Sequence, residues 1–387
     1  MKNNKTTPTI GVLGNFKPEQ SKPLGKQTNL IKDFFLAAER LGIQMGIFHP
    51  RELIENIQPT GYFWGTDSWK KKKFFSCPSA LIDRFYSSLE GFDKNIQKQK
   101  HYIEKKIGIP FLNPLDFADV VTDKKSFSII MKNSNIPTPQ ILLSPIDNLD
   151  NLWENIAFHQ DVILKPRFGR MGKGIFRIVK ENNTVTFSFE KKHLHVRTKW
   201  QLHGILQYLC SINSIGLQHL ILQKTIKINK LAGRFFDIRI LAQRTDGVTK
   251  PTITGEVVRI SPSEGNVPNI DQGGVVMPLE MCLAKMLPTT WQTLAPKMRQ
   301  IALDTYQFME SRFGLIGEAG IDLLIDIDDK IWVIEINSKP GRIAFERLAS
   351  GFGLTSSQKD LFAEQRKTSI LNPVKYAFWL AAQKAAQ

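Results

Sequence analysis

The residues best suited to chemistry are Asp322, Glu335 and Asn337, which lie in one predicted β-hairpin. The flanking strands alternate in polarity around an Asp-Asp pair at 328–329, which suits a two-residue turn. A turn there would place Asp322 directly opposite Glu335, with Asn337 two residues further along the same face. The spacing therefore predicts three oxygen-bearing side chains on one face of the hairpin.

Two carboxylates that face each other across a strand pair repel, and burying Asp322 and Glu335 together would raise a pKa or require a cation. Carboxylate and amide oxygens suit Mg²⁺, which also takes phosphate oxygens from a substrate. An exposed hairpin with solvated acids is the alternative interpretation. The hairpin alone does not separate the two.

A glycine-rich, cationic loop lies between two predicted strands at 163–178, in the sequence ILKPRFGRMGKGIFRI. Glycine lets backbone N–H groups approach a phosphate closely, and basic side chains add charge. Lys165, at the end of the first strand, is placed to reach the same phosphate. The alternative interpretation of the loop is a structural hairpin turn. The loop is not a Walker A loop, because no Gly-Lys-Ser/Thr ends it and a strand follows. Its candidate phosphate-binding residues are Gly169, Arg170, Gly172, Lys173 and Gly174.

The predicted strand RFFDIRILAQR, at 234–244, carries charged residues on one face. A period of two places Asp237, Arg239 and Leu241 on that face. An arginine on the polar face of a central strand suits a bidentate contact with an oxyanion. Arg259, on the next predicted strand, is a second candidate. A purely structural ion pair between Asp237 and Arg239 is the alternative.

The elements that would position these residues begin with an α/β lobe. The pattern predicts strands at 8–14 and 43–50 around a helix at 28–42, a succession that favours parallel pairing. A third strand is predicted at 81–86. The prolines and asparagine of IPFLNP, at 109–114, mark the first boundary.

Beyond that boundary the chain alternates strands with helices. A helix is predicted at 123–134 with Asp123 as its N-cap, and it ends before the prolines of NIPTPQ. A long amphipathic helix is predicted at 288–312, and a terminal helix follows in NPVKYAFWLAAQKAA. Further strands are predicted at 161–166, 175–180, 184–190, 221–226 and 252–261.

Composition excludes several classes of protein. The 387-residue chain is 42% hydrophobic with 25 Phe, which indicates a well-buried globular protein of two or three lobes. No apolar run is long enough to span a membrane, and the N-terminal one is too short for a signal peptide. The three cysteines, Cys77, Cys210 and Cys282, lie far apart. We therefore expect neither disulfides nor a cysteine zinc site, and a reducing cytoplasm.

The formal net charge of +16 favours an anionic ligand or substrate. Its densest run, Lys70 to Lys73 in WKKKKFF, is predicted to be a solvated loop. A nucleic-acid binder is a further hypothesis, but it rests on charge alone. The sequence contains no zinc finger, aromatic RNA-binding motif or evident reading helix, so we expect no nucleic-acid partner.

Taken in order, these segments resemble the ATP-grasp superfamily. VTDKKSFSIIMKNSNIPTP resembles the entry segment of the superfamily. ILKP and the glycine loop resemble its second lysine and phosphate lid, and LILQKTI resembles the strand that holds adenine. GRFFDIRIL resembles the Asp-x-Arg strand, and GIDLLID with VIEINSKPGR resembles the metal hairpin. The match covers about 120–345. It implies an α/β (α+β) ATP-grasp fold with an N-terminal α/β pre-ATP-grasp lobe.

Within that superfamily the chain resembles the YheC/YheD endospore coat-associated proteins. The supporting stretches are FSCPSALIDRFYSS, FLNPLDFADVVTDKKSF, PNIDQGGVVMPL, INSKPGR and the terminal NPVKYAFWLA. WKKKKFF departs from the family pattern as an insertion in the N-terminal lobe. The resemblance implies a pre-ATP-grasp lobe at 1–114, a small lobe with the phosphate loop at 115–222, and a C-terminal lobe with the metal hairpin at 223–387.

The resemblance also implies a role for each matched residue. Lys124 and Lys165 would contact ATP phosphates beneath the glycine loop, and Arg239 with Arg259 would steady the transferred phosphoryl group. The ligands of Mg²⁺, or Mn²⁺, would be Asp322, Glu335 and Asn337. The adenine pocket would be lined by Gln223, Lys224 and Ile226. Substrate contacts are predicted at Asp83, Arg84, Asn269 and Arg342.

The implied activity is ATP-dependent conversion of a carboxylate to an acyl phosphate, followed by attack of an amine. The predicted substrate is a peptide, protein tail or acidic amino acid, in the cytoplasm of a mother cell or developing spore or in association with its coat. Phosphoryl transfer of this kind needs positioning and charge neutralisation rather than a covalent nucleophile. The alternative is a spore-coat structural protein that keeps the ATP-binding fold without turnover.

Overall fold

Three β-sheets, each packed against helices, organise the described part of the chain. Together they form the mixed α/β fold that the sequence predicts. The computed structural model describes residues 8–86, 93–169, 174–189, 192–212, 216–262, 273–351 and 353–385.

The first sheet consists of β1 (Thr9–Leu13), β2 (Gln44–Phe48), β3 (Thr60–Trp64), β4 (Trp69–Lys73) and β5 (Ala80–Asp83). Its order is β4-β3-β2-β1-β5. The strand β1 pairs in parallel with β2 and β5, which confirms the predicted α/β succession. The run Lys70–Lys73 is not the solvated loop predicted from sequence, because its backbone pairs with residues 60–63 and forms the edge strand.

The second sheet consists of β6 (Ile141–Leu143), β7 (Asp161–Pro166), β8 (Phe176–Glu181), β9 (Thr184–Phe189), β10 (Lys192–Val196) and β11 (Leu220–Lys224). Its antiparallel order is β10-β9-β8-β7-β11-β6. Alternation along β7 buries Val162 and Leu164 in the core of this sheet. The same alternation turns Lys165 to the opposite face.

The third sheet consists of β12 (Phe236–Gln243), β13 (Thr252–Ile260), β14 (Val275–Met277), β15 (Glu318–Ile325) and β16 (Ile331–Asn337). Its antiparallel order is β14-β13-β12-β15-β16. Phe236, Ile238 and Ile240 point into the main core, as the predicted period of two requires. The other face of β12 is therefore left to Asp237 and Arg239.

Helices cover these sheets and join them. Their bounds are α1 (Thr28–Arg40), α2 (Pro50–Glu55), α3 (Lys94–Tyr102), α4 (Leu115–Thr122), α5 (Lys124–Met131), α6 (Leu149–His159), α7 (Lys199–Ile212), α8 (Leu279–Met286), α9 (Trp291–Phe313), α10 (Ile343–Ala349) and α11 (Ser356–Ala385). The terminal helix α11 is longer than predicted and packs Val374 and Ala377 against Ile10 and Val12 of the first sheet. Along the described residues, each helix is too short or too polar to cross a membrane.

Candidate active site

The hairpin β15–β16 pairs Asp322 with Glu335, as predicted, but it reaches that register by a different route. The turn is longer than two residues, because the Asp326 N–H donates to the Lys330 carbonyl and Asp329 adopts a φ of 59°. A β-bulge at Ile334 then adds one residue to β16 and restores the predicted pairing. The turn prediction was wrong, and the bulge cancels its effect at the carboxylates.

The bulge also decides which side chains meet. Ile331, Val333 and Ile336 of β16 are buried in the main core. Glu335 and Asn337 lie on the other face, and the Asn337 side-chain amide lies 3.3 Å from the Asp322 carboxylate. The three oxygen-bearing side chains therefore share one face of the sheet.

Two arginines bind the Asp322 carboxylate, which is 5% exposed. Arg239 stands directly opposite it on β12 and donates through both Nε and Nη2, the latter at 2.7 Å. Arg259 on β13 reaches the same carboxylate at 3.0 Å. Burial alone would raise the pKa of Asp322, but the guanidinium groups of Arg239 and Arg259 outweigh burial and hold that pKa below its ordinary value.

The Asp237 carboxylate completes this charged face. Arg259 lies directly opposite it in the register and donates through Nε and Nη2, each at 2.6 Å. Burial raises the pKa of Asp237, and the Arg259 guanidinium opposes that rise. The structural Asp237–Arg239 pair considered from sequence does not form. Instead, Arg239 binds the Asp322 carboxylate, so the predicted catalytic arginine and a predicted metal ligand are in contact.

Lys165 faces this hairpin from the second sheet. Burial and, to a smaller extent, the Lys124 ammonium lower the pKa of Lys165 to about 7, against the opposing effect of the Glu335 carboxylate. The opposing effect of Glu335 places the hairpin acid within electrostatic reach of this lysine. The site therefore holds a half-buried lysine whose charge is poorly compensated in the absence of a ligand.

Lys124 is the first residue of α5 and is held at the start of the glycine loop. Its Nζ donates to the Gly169 carbonyl at 3.0 Å, and its backbone N–H donates to the Arg167 carbonyl at 3.2 Å. Asp123 is the N-cap of α5, as predicted, and accepts from the Lys125 N–H at 3.1 Å. The Arg167 guanidinium donates to both oxygens of Asp123, at 2.6 and 2.5 Å, which fixes the loop against the helix.

The glycine loop itself is described only at its ends. Gly169 follows β7, and Gly174, with a φ of 71°, precedes β8. A φ in this range favours glycine over any residue with a side chain. Arg170, Gly172 and Lys173 lie outside the described residues.

A small cavity of about 10 Å³, enough for about one water molecule, lies between the second sheet, α5 and residue 334 of the third sheet. Lys124 and Lys165 line it together with Gln223 of β11 and the bulged Ile334. The Gln223 side chain is buried and donates to the Pro139 carbonyl at 3.2 Å. Lys224 at the end of β11 is exposed and Ile226 just beyond it is half-buried. The cavity thus has cationic and apolar walls, but in this conformation it is too small to hold a nucleotide.

The predicted substrate contacts are placed less favourably for that role. Arg84 and Arg342 are 1% and 2% exposed, and both bind Glu318. Both guanidinium groups are buried and each also donates to the Pro340 carbonyl, so in this structure both arginines support the hairpin. Asn269 lies outside the described residues.

Asp83 is also engaged with protein groups. Lys100 and Lys339 bind its carboxylate at 2.9 and 2.6 Å. Burial would raise the pKa of Asp83, but the two ammonium groups reverse that effect and hold the pKa well below its ordinary value. Lys339 follows the hairpin, so Asp83 ties the first sheet to the metal-binding candidate.

The oxygen ligands proposed for a metal suit Mg²⁺ in their chemistry, although two guanidinium groups bind the Asp322 carboxylate in this structure. Asp322, Glu335 and Asn337 present two carboxylates and one amide on one face, with the cavity beside them. Within the residues that the structure describes, no cluster of three or more His, Cys, Asp or Glu suggests a competing site. The remaining ligands of the ion would have to come from water and phosphate.

A family model described as "YheC/D like ATP-grasp" matches residues 108–380 of the chain. The chain belongs to this family. The predicted ATP-grasp fold and the resemblance to YheC and YheD are thereby confirmed. The match includes all the lysines, arginines and hairpin residues of the third and second sheets described above.

Relatives of this YheC/D-like ATP-grasp protein include coat-associated and ligase proteins. Endospore coat-associated protein YheC of Bacillus subtilis (strain 168) is 25% identical over 373 residues, covering 90% of this chain and 92% of that protein. Tetrahydromethanopterin:alpha-L-glutamate ligase of Methanocaldococcus jannaschii is 25% identical over 241 residues, covering 62% of this chain and 66% of that protein.

Solved structures show the same fold at low identity. D-cycloserine synthetase DcsG superposes with a TM-score of 0.55 and 11% identity, covering 93% of this chain and 99% of that chain. D-alanine-D-alanine ligase from Coxiella burnetii gives a TM-score of 0.54 and 11% identity, covering 98% of each chain. The prediction of an ATP-dependent, ADP-forming ligase is confirmed at the level of family and fold.

Three residues that support the site of this ATP-grasp protein were missed from sequence. The Asn113 side chain donates to the carbonyls of Glu318 and Ser338, at 2.9 and 2.7 Å, and so joins the two ends of the hairpin. Glu318 holds the two buried arginines, and Lys339 binds Asp83. The lone acid of the small and apolar segment GEAGI was the available signal for Glu318.

Proposed function

We propose that this protein is an ATP- and Mg²⁺-dependent carboxylate–amine ligase that works through an acyl phosphate. The observation that carries the proposal is the pairing of Arg239, Asp322 and Glu335 in register on adjacent strands, with Glu335 within electrostatic reach of Lys165. Cationic groups and oxygen ligands meet there, as phosphoryl transfer requires. The family supports the same reading.

ATP would lie between the second and third sheets. Lys124 and Lys165 would contact its phosphates from one side. The glycine loop would cover the phosphates from the other side, through Gly169, Arg170, Gly172, Lys173 and Gly174. The adenine ring would lie beside Gln223, Lys224 and Ile226, and the small cavity at Gln223 would have to widen to admit it.

Asp322, Glu335 and Asn337 would hold Mg²⁺, or Mn²⁺, which neutralises phosphate charge when bound. Without a nucleotide, Asp322 is already neutralised by two guanidinium groups. We therefore propose an exchange of partners on nucleotide binding. Arg239 would turn to the phosphoryl oxygens, and the Asp322 carboxylate would be released to the cation. This exchange avoids leaving a buried charge unpaired in either state.

In the first step a substrate carboxylate oxygen attacks the γ-phosphorus, the bond to the β-phosphate oxygen breaks, and ADP leaves. In the second step an amine attacks the acyl carbon, phosphate leaves, and the amine proton passes to solvent. Arg239, with Arg259 behind it, would stabilise charge on the transferred group in the first step. Asp237 would keep Arg259 oriented for this role.

The substrate class remains a peptide, a protein tail or an acidic amino acid, supported by the net charge of +16 and by the named glutamate ligase relative. We propose action in the developing spore or its mother cell, with association to the coat, because two relatives are named endospore coat-associated proteins. We keep the three lobes at 1–114, 115–222 and 223–387 as a working division.

A test is release of ADP by the purified protein with Mg²⁺ and panels of carboxylates and amines, followed by the mass of each product. We expect ADP release that requires both the cation and an added carboxylate. ATP binding without turnover across broad panels would favour the rival proposal, a coat structural protein that retains the fold. The intact set of lysines and hairpin residues favours the enzyme.

A further inference from the structure

The lysine run at 70–73 has no part in the proposed ligase site. It forms most of β4, the edge strand of the first sheet. The strands β3, β2 and β1 separate β4 from β5, which lies at the opposite edge. Each strand adds about 4.8 Å, so β4 lies roughly 19 Å from β5. The run therefore calls for an explanation separate from catalysis.

The hydrogen-bond alternation between β3 and β4 shows which backbone groups are open. The Gly65 N–H donates to the Ser68 carbonyl, and the Phe74 N–H donates to the Pro59 carbonyl. Because bonded pairs alternate in an antiparallel ladder, residues 70 and 72 of β4 face β3. The N–H and C=O groups of Trp69, Lys71 and Lys73 consequently point away from the sheet, where a further strand could pair.

Charge at this edge is unbalanced. Within the described residues, none of Lys70 to Lys73 forms an ion pair, and all except the half-buried Lys72 are exposed. Lys72 lies instead over the rings of Phe63 and Phe74, at 4.7 and 4.5 Å. Burial lowers the pKa of Lys72, which agrees with a cation held against aromatic rings rather than an acid.

The edge is also rigid. Trp69 packs against Trp64 and Phe35 with ring centroids 5.0 and 5.3 Å apart, and Phe16 lies 5.5 Å from the same indole. A preformed strand loses little conformational entropy when another chain pairs with it. Lysines on an edge commonly prevent unwanted pairing. That protection acts against neutral and basic strands, and it attracts an acidic one.

We propose that β4 is a docking edge for an extended acidic peptide, which would add as a strand beside Trp69–Lys73. The outward N–H and C=O groups would supply main-chain hydrogen bonds, and the lysines would supply charge complementarity. A second copy of this chain is disfavoured as the occupant, because its own β4 would bring four further lysines to the same edge. Nucleic acid could match the charge but has no peptide backbone to pair with the strand. The proposal goes beyond ligase activity and does not depend on it.

The test is fluorescence anisotropy of a fluorescein-labelled oligo-glutamate peptide titrated with the full chain at low salt, without ATP. We expect the K71E/K73E variant to bind at least about tenfold more weakly. The matched control K94E/K98E makes the same change in charge at two exposed lysines of α3 and should bind as the unmodified protein does. Equal loss in both variants would overturn the proposal, since net charge alone would then explain binding.

A second comparison separates strand pairing from charge. K71Q and K71P both remove the ammonium, but only K71P removes an outward N–H, and neither disturbs a hydrogen bond to β3. We expect K71P to bind the peptide several-fold more weakly than K71Q, with unchanged circular dichroism in both. Equal affinities of the two variants, or equally tight binding of a labelled oligonucleotide, would contradict a docked peptide strand.

Discussion

Arg239 on β12 stands directly opposite Asp322 on β15, and its guanidinium holds both oxygens of that carboxylate. A residue proposed to stabilise a phosphoryl group is therefore bound, without ligand, to a residue proposed to bind the metal. The proposed exchange of partners links the two roles, because it requires this pair to separate when the nucleotide binds. The fork of the guanidinium makes this pairing possible, and lysine has no such fork.

Arg239→Lys tests that link. The substitution keeps the charge but loses bidentate geometry, so we expect kcat/KM for ATP-dependent turnover to fall by about 10²-fold or more. The measurement is steady-state ADP release corrected for folded protein. Arg244→Lys is the matched control, because Arg244 makes a similar bidentate pair with Glu310 away from the site. Equal loss of turnover in both variants would point to stability rather than chemistry.

The pH dependence of Lys165 gives a second prediction. Its pKa in the folded protein is lowered to about 7, whereas an unfolded lysine titrates near 10.5. Between these values the unfolded state holds more protons, so the stability of the nucleotide-free protein should rise as pH increases from about 7 to 10. Lys165→Met should flatten that rise and stabilise the protein at pH 6. Urea unfolding at a series of pH values measures both effects.

The same lysine should couple nucleotide binding to proton uptake. Phosphate near Lys165 favours the ammonium, so at a pH of about 8 the protein should take up a proton when ATP binds. Calorimetric titration in buffers of different ionisation enthalpy reports that proton. Binding of ATP to the unmodified protein with no proton uptake, and no difference in Lys165→Met, would contradict a phosphate contact.

The buried position of Glu318 leads to a prediction about the free energy of unfolding. It is 1% exposed and binds Arg84 and Arg342, so Glu318→Gln would leave two buried guanidinium groups without a carboxylate. We expect a loss of about 3–5 kcal/mol in the free energy of unfolding, measured by urea titration. Glu364→Gln, in an exposed pair with Lys367, should change it by less than about 0.5 kcal/mol.

Two substitutions of Asp123 distinguish its role as the N-cap of α5 from its ion pair with Arg167. Asn caps helices as well as Asp, so Asp123→Asn should keep the cap of α5 while weakening the contact with Arg167. Asp123→Ala loses both and should cost roughly 1 kcal/mol more. Because Lys124 follows the cap, we expect KM for ATP to rise in both variants and most in Asp123→Ala. An unchanged KM in both would separate Lys124 from nucleotide binding.

The sequence predicts local pattern well and long-range pairing poorly. The alternation of RFFDIRILAQR placed Arg239 and Asp237 on one face, and the structure confirms that face. It could not show that β15 and β13 flank β12, so the ion pairs Arg239–Asp322 and Arg259–Asp237 were not foreseen. Sheet order depends on contacts between distant segments, which a single sequence does not display.

Two further differences have physical causes. The Asp322–Glu335 register survived a wrong turn prediction because the bulge at Ile334 compensates for the longer loop. The lysine run was predicted to be a solvated loop because of its dense charge. Edge strands, however, tolerate lysine well. Arg84 and Arg342 were predicted at the substrate from their positions, in the N-terminal lobe and just after the hairpin, and their buried partner Glu318 was not recognised.

Glu335→Gln provides the most direct test of the central claim. Glutamine has the same size but no charge, so the hairpin would lose a carboxylate without a change in packing. We measure Mg²⁺-dependent ADP release with an accepted carboxylate, beside the unmodified protein and the surface control Glu364→Gln. The account predicts a fall of about 10²-fold or more in Glu335→Gln, with full activity in the control. Undiminished turnover and Mg²⁺ dependence in Glu335→Gln would contradict the assignment of the hairpin as the metal end of the site.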